Sequence, residues 1–175
     1  MPRNIELKAR LVDLDAARRT AVSLGAAPAG IEHQVDTYFA VSHGRLKLRE
    51  INDREARLVG YVRPNDLQPK ASDYTLVPVA EPLQLKELLS SALGVVAVVE
   101  KRREIFLWRN VRIHLDRVVG LGTFLEFEAV LAADESDEAG RRQVAELRAA
   151  FGITDGDLLA ASYADLLWGK SPVSG

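Results

Sequence analysis

Charged residues recur two apart in five stretches of this sequence: Glu6, Lys8 and Arg10; Lys47 and Arg49; Lys101 and Arg103; Arg112, His114 and Asp116; Glu126 and Glu128. Most of the residues between them are apolar, among them Leu7, Ala9, Leu48, Ile113, Leu115 and Phe127. A spacing of two puts side chains on one face of a β-strand. Lysine and arginine match phosphate oxygens, arginine bidentately. Carboxylates suit hard cations such as Mg²⁺ or Mn²⁺, which bridge phosphate oxygens in turn. Glu126 and Glu128 project the same way about 7 Å apart along a strand, near enough to share metal sites with Glu6. One such strand is ordinarily just the solvated face of a sheet. Five nearly all-ionic faces are a different matter. If the apolar faces pack on helices, the charged faces point away from them, and in a closed barrel that direction is the lumen. An empty lumen of crowded charges is costly, and a polyanion with divalent cations would offset that cost.

The elements that must carry these residues read as follows. Strands are expected over 4–12, 34–41, 45–51, 56–62, 73–79, 95–106, 111–118 and 122–131. Helices are expected from an Asp13 cap to about Leu24, from Pro82 to about Leu93, from Asp134 or Ser136 to Ala150, and from Thr154 or Asp155 to Leu167. Gly25, Gly94 and Gly152 supply stops. Residues 64–72 read as a loop and 171–175 as a loose tail after one domain over 1–170. Eight strands without intervening crossover helices predict an α+β fold, an eight-stranded antiparallel β-barrel with helices packed outside.

The 175 residues suit one domain, and the formal net charge of −2 argues against broad binding to a nucleic-acid duplex. The absence of cysteine excludes disulfides and thiol nucleophiles. Neither a signal peptide nor a membrane-spanning run is evident, so a cytoplasmic protein is expected. A homodimer is left open.

Several motifs follow one another in a fixed order: Asn4-Ile5-Glu6-Leu7-Lys8, Gln34-Val35-Asp36-Thr37-Tyr38-Phe39, Leu46-Lys47-Leu48-Arg49, Glu100-Lys101-Arg102-Arg103, Ile113-His114-Leu115-Asp116, Gly120-Leu121-Gly122, Leu125-Glu126-Phe127-Glu128 and Ser162-Tyr163-Ala164-Asp165-Leu166-Leu167. Each is weak alone; the series, covering nearly the whole chain, resembles CYTH-domain proteins, members of the triphosphate tunnel metalloenzymes. That family includes class IV adenylyl cyclases, thiamine triphosphatases and inorganic tripolyphosphatases. The resemblance implies that Glu6, Asp116, Glu126 and Glu128 bind divalent metal, Mg²⁺ or Mn²⁺. It implies that Lys8, Arg10, Lys47, Arg49, Lys101, Arg103 and Arg112 hold the substrate, and that Glu6, Lys8, Glu126 and Glu128 take part in catalysis. The expected substrate is tripolyphosphate, thiamine triphosphate or a nucleoside triphosphate such as ATP, cleaved by hydrolysis. Cyclisation of ATP to cyclic AMP and pyrophosphate is the first alternative, and binding without catalysis the second.

Two departures stand out. Asn4 occupies the place of the first glutamate in the family's Glu-x-Glu-x-Lys hallmark, keeping a carbonyl oxygen but no charge. The fifth strand lacks an Arg-x-Glu type pair, for which Arg63 and Lys70 are the nearby substitutes. Tyr74 and Trp108 are candidates to stack on an organic ring near the mouth, and His114 for a hydrogen-bonded lumen position.

Overall fold

The computed structural model describes residues 3–62, 67 and 69–168, and at 70, 72 and 73 the backbone alone. Strand β1 (Arg3–Arg10) leads into helix α1 (Leu14–Ser23). Asp13 caps that helix by accepting from the N–H groups of Asp15 and Ala16. A meander follows: β2 (Ala27–Phe39), β3 (Arg45–Ile51), β4 (Glu55–Val62) and β5 (Lys70–Pro78). After α2 (Pro82–Leu93) come β6 (Val95–Trp108), β7 (Val111–Val118) and β8 (Gly122–Leu131). Helix α3 (Asp137–Ala150), a 3₁₀ turn (Asp155–Asp157) and α4 (Tyr163–Trp168) follow.

The strands close into an antiparallel barrel in the order β1-β5-β4-β3-β2-β6-β7-β8. Closure runs through β1, which pairs with β5 on one edge and with β8 on the other. The alternation sorts the chemistry. Ile5, Leu7 and Ala9 face outward with Ile113, Leu115, Leu125 and Phe127, and this layer is buried under α1 and α3. Phe39, Leu48 and Ala56 form a smaller outer cluster with Leu85 and Leu89 of α2. A third cluster caps one barrel end, where Phe124, Tyr38, Val99 and Val118 meet Tyr163 and Ala164 of α4. Among the described residues no helix is long and apolar enough to cross a membrane.

Three expectations about elements are corrected. β2 begins at Ala27, seven residues earlier than the alternation indicated, because Pro28 and Gly30 flank a bulge in its pairing with β6. β5 begins at Lys70, and its residues 70–72, read as loop, pair with Asn4–Glu6 to shut the barrel. The last expected helix is broken. Leu159 donates its N–H to the Lys8 carbonyl at 2.9 Å and Leu158 bridges Ala9, so this stretch lies extended against β1 before α4 begins. The tail at 171–175, Arg63 and the side chain of Lys70 lie outside the described residues.

Candidate active site

The barrel encloses a cavity of about 410 Å³. Period-two alternation brings Glu6, Lys8, Lys47, Arg49, Lys101, Arg103, Arg112, His114, Glu126 and Glu128 onto its wall. Asn4, Asp36, Tyr38, Tyr61, Tyr74 and Tyr163 join them. One end is stopped by the C-terminal segment. Arg45 of β3 reaches across to donate to Ser162 Oγ at 2.5 Å and pairs with Asp165 at 2.9 Å. Tyr163 turns into the lumen, its hydroxyl donating to Asp116 at 2.8 Å and its ring lying 4.0 Å beneath the Lys8 ammonium.

Two buried ionic clusters form the closed end. In the first, Asp36 is 1% exposed and accepts from Lys47 at 3.0 Å, Lys101 at 3.0 Å and Arg49 bidentately at 2.7 Å. Burial alone would raise the Asp36 carboxyl, but Arg49, Lys101 and Lys47 outweigh it and hold the group well below the usual carboxylate range. Burial also pulls the Lys101 ammonium down, to about 7; Asp36 opposes that fall while Arg49, Arg103 and Lys47 add to it. In the second cluster, Arg103 donates to both oxygens of Asp116 at 2.7 and 2.6 Å. Glu126 lies 3.0 Å from Lys8, 3.5 Å from Arg103 and 3.4 Å from His114 Nδ1. Burial would raise Glu126, yet Lys8, Arg103 and His114 together keep it well below its ordinary value.

The carboxylates therefore divide. Asp116 is fully buried with both oxygens occupied, and it lies behind Arg103 rather than on the cavity wall. Glu126 is enclosed by cations. Glu6 and Glu128 instead sit directly opposite each other on β1 and β8, like charges side by side. Asn4 Nδ2 donates to Glu128 Oε1 at 2.6 Å, while Asn4 Oδ1 is buried without a partner. Glu128 also pairs with Arg112 at 3.1 Å. Two carboxylates and an orphaned amide oxygen are the hard donors that Mg²⁺ or Mn²⁺ prefers, so this corner fits a divalent cation in donor type. Among the described residues no group of three or more His, Cys, Asp or Glu is arranged to hold a metal by itself.

Arg10 is exposed beyond the stopped end, its guanidinium 5.7 Å from the Phe124 ring, and is not on the cavity wall. Trp108 is corrected outright. It faces outward into the core with Phe106, beneath the Arg109 guanidinium, and cannot stack on anything in the lumen. Tyr74 does line the cavity. Asp36 stands within the Gln34–Phe39 motif, and its place at the centre of the first cluster emerges only from the fold. Its inward face had a signal, since Gln34, Asp36 and Tyr38 alternate with Val35, Thr37 and Phe39.

Solved structures share this architecture. PH1012 of Pyrococcus horikoshii OT3 is similar at a TM-score of 0.84 with 29% identity, over 93% of this chain and 98% of that one. A candidate adenylate cyclase of Vibrio parahaemolyticus matches at 0.76 with 22% identity, over 94% of this chain and 97% of that one. A Hippeastrum protein, described as a candidate adenylyl cyclase with a dominant triphosphatase activity, matches at 0.66 with 14% identity, over 97% and 95%. No match was found among curated proteins. A CYTH domain model matches residues 2–163, and the chain therefore belongs to the CYTH family, whose members are triphosphatases or adenylyl cyclases and generally use divalent metals.

Proposed function

We propose that this protein hydrolyses a phosphoanhydride bond of a triphosphate compound held in the barrel lumen, with a divalent cation. The observation that carries the reading is the convergence of Lys8, Lys47, Arg49, Lys101, Arg103 and Arg112 on one cavity stopped at one end. Lys47, Arg49 and Lys101 would hold one phosphate, preorganised by Asp36. Arg103 and Lys8 would hold the next, preorganised by Asp116 and Glu126. Such fixed cations stabilise charge as it develops on transferring phosphoryl oxygens. Asn4, Glu6 and Glu128 would hold the cation, which when bound neutralises phosphate charge and polarises the phosphoryl group. His114, 3.4 Å from Glu126, would take a proton from the attacking water, with Glu126 orienting the imidazole. The dominant triphosphatase activity named for the Hippeastrum neighbour favours hydrolysis over cyclisation.

The test incubates the protein with tripolyphosphate, ATP and thiamine triphosphate, each with Mg²⁺ or Mn²⁺. Orthophosphate release, depressed at least 100-fold by Glu126→Gln and by Lys8→Ala, is expected from the loss of charge-assisted contacts between buried groups. Cyclic AMP with pyrophosphate as the products from ATP would overturn hydrolysis. Turnover indifferent to both substitutions would overturn the site.

A further inference from the structure

The lumen wall changes character between its stopped end and its mouth. The stopped end is ionic. Toward the mouth, β3, β5 and β6 turn Ile51, Leu76, Ile105 and Leu107 inward, beside the charged side chains of Glu32, Arg57 and Arg112. Leu76 and Leu107 each leave 45% of their surface open to solvent. An inorganic polyphosphate has no use for such a collar, whereas an apolar ring or chain would be stabilised by covering it.

Gln34 stands where the two zones meet. Its cross-strand neighbours are Lys101 on β6 and Ile51 on β3, one from each zone. The side chain lines the cavity and is 2% exposed. Its Nε2 donates to Glu32 Oε2 at 2.5 Å. A carboxylate can only accept, so this bond fixes which way the amide points. The other end, Oε1, is buried with no partner. A buried acceptor lacking a donor is a costly arrangement, relieved when a donor arrives.

We infer that Gln34 and the apolar collar form a subsite for the organic part of the substrate. The substrate is an organic triphosphate whose apolar body lies against Ile51, Leu76, Ile105 and Leu107. An N–H or O–H group on that body donates to Gln34 Oε1. This inference rests on the reading that the lumen takes a triphosphate, and adds which triphosphates it selects. Tripolyphosphate fills only the ionic end.

The test compares kcat/KM for tripolyphosphate, methyl triphosphate, ATP, CTP and thiamine triphosphate, on the unaltered protein and on Gln34→Met. Methionine keeps the length and apolar contacts and removes the acceptor. At least one large organic triphosphate is expected to exceed both tripolyphosphate and methyl triphosphate by tenfold or more. Gln34→Met is expected to cut that selectivity about tenfold, the worth of one hydrogen bond to a buried acceptor. Leu107→Asp, at a half-exposed position that tolerates a charge, is expected to cut it too. If tripolyphosphate is the preferred substrate, or if both variants leave the selectivity ratio unchanged, the subsite is overturned while the triphosphate reading stands. If no compound in the panel binds or turns over, both fall together.

Discussion

Three cations converge on the Asp36 carboxylate, and without it Lys47, Arg49 and Lys101 would face one another in a buried space. Asp36→Asn keeps the shape and removes the charge. It is expected to cost about 3–5 kcal/mol of stability, the usual result of stripping one partner from a buried ionic cluster. Tripolyphosphate should then raise the melting temperature of the variant more than that of the unaltered protein, because the polyanion replaces the missing charge. An unchanged melting temperature would contradict the role given to Asp36. Lys101 yields a second expectation. With its ammonium lowered to about 7 in the free protein, it gives up its proton more readily than an ordinary lysine. A bound polyanion favours the charged form, so binding at pH 8 takes up a proton and affinity falls as pH rises through about 7. Calorimetry in two buffers of different ionisation heat measures that uptake. Lys101→Met should abolish its share; identical uptake in both proteins would refute the assignment.

Elements with strong alternation and clear caps were legible in the sequence: β3, β7, β8 and α2 fall on their expected bounds. The rest was hidden by interactions that are not local. Pro28 and Gly30 argue against a strand, but partners on β6 hold them at a bulge. Leu158 and Leu159 look helical, yet hydrogen bonds to β1 draw them out straight. The close seating of α3 was hidden too. A Cβ on Gly140 would lie 2.8 Å from Ile5 Cγ1 and 3.0 Å from Leu131 Cδ2. Gly140→Ala gains about 1 kcal/mol of helix propensity and incurs about 1–3 kcal/mol of overpacking. Chemical denaturation should therefore show a net loss of stability. A gain would mean that α3 can move off the barrel freely.

The whole molecule sets a net charge of −2 against a lumen rich in buried cations, and composition cannot reveal that contrast because it averages over inside and outside. Alternation identified the ionic face, but not how the charges pair across strands. That pairing separates Asp116, saturated by Arg103, from Glu6 and Glu128, which meet only because β1 joins β8. It also gives Asn4 a place: its amide nitrogen donates to Glu128, and its oxygen is buried without a partner. We read this lumen as a polyphosphate site. The most direct test of that reading is a calorimetric titration of tripolyphosphate with Mn²⁺ into the unaltered protein and into Lys47→Met. That variant is chosen because Asp36 keeps Arg49 and Lys101 as partners, so the fold should hold. Binding at one site per chain is expected, weakened about 10- to 100-fold in the variant by loss of one charge-assisted contact. No binding to the unaltered protein, or equal affinity in both, would contradict it.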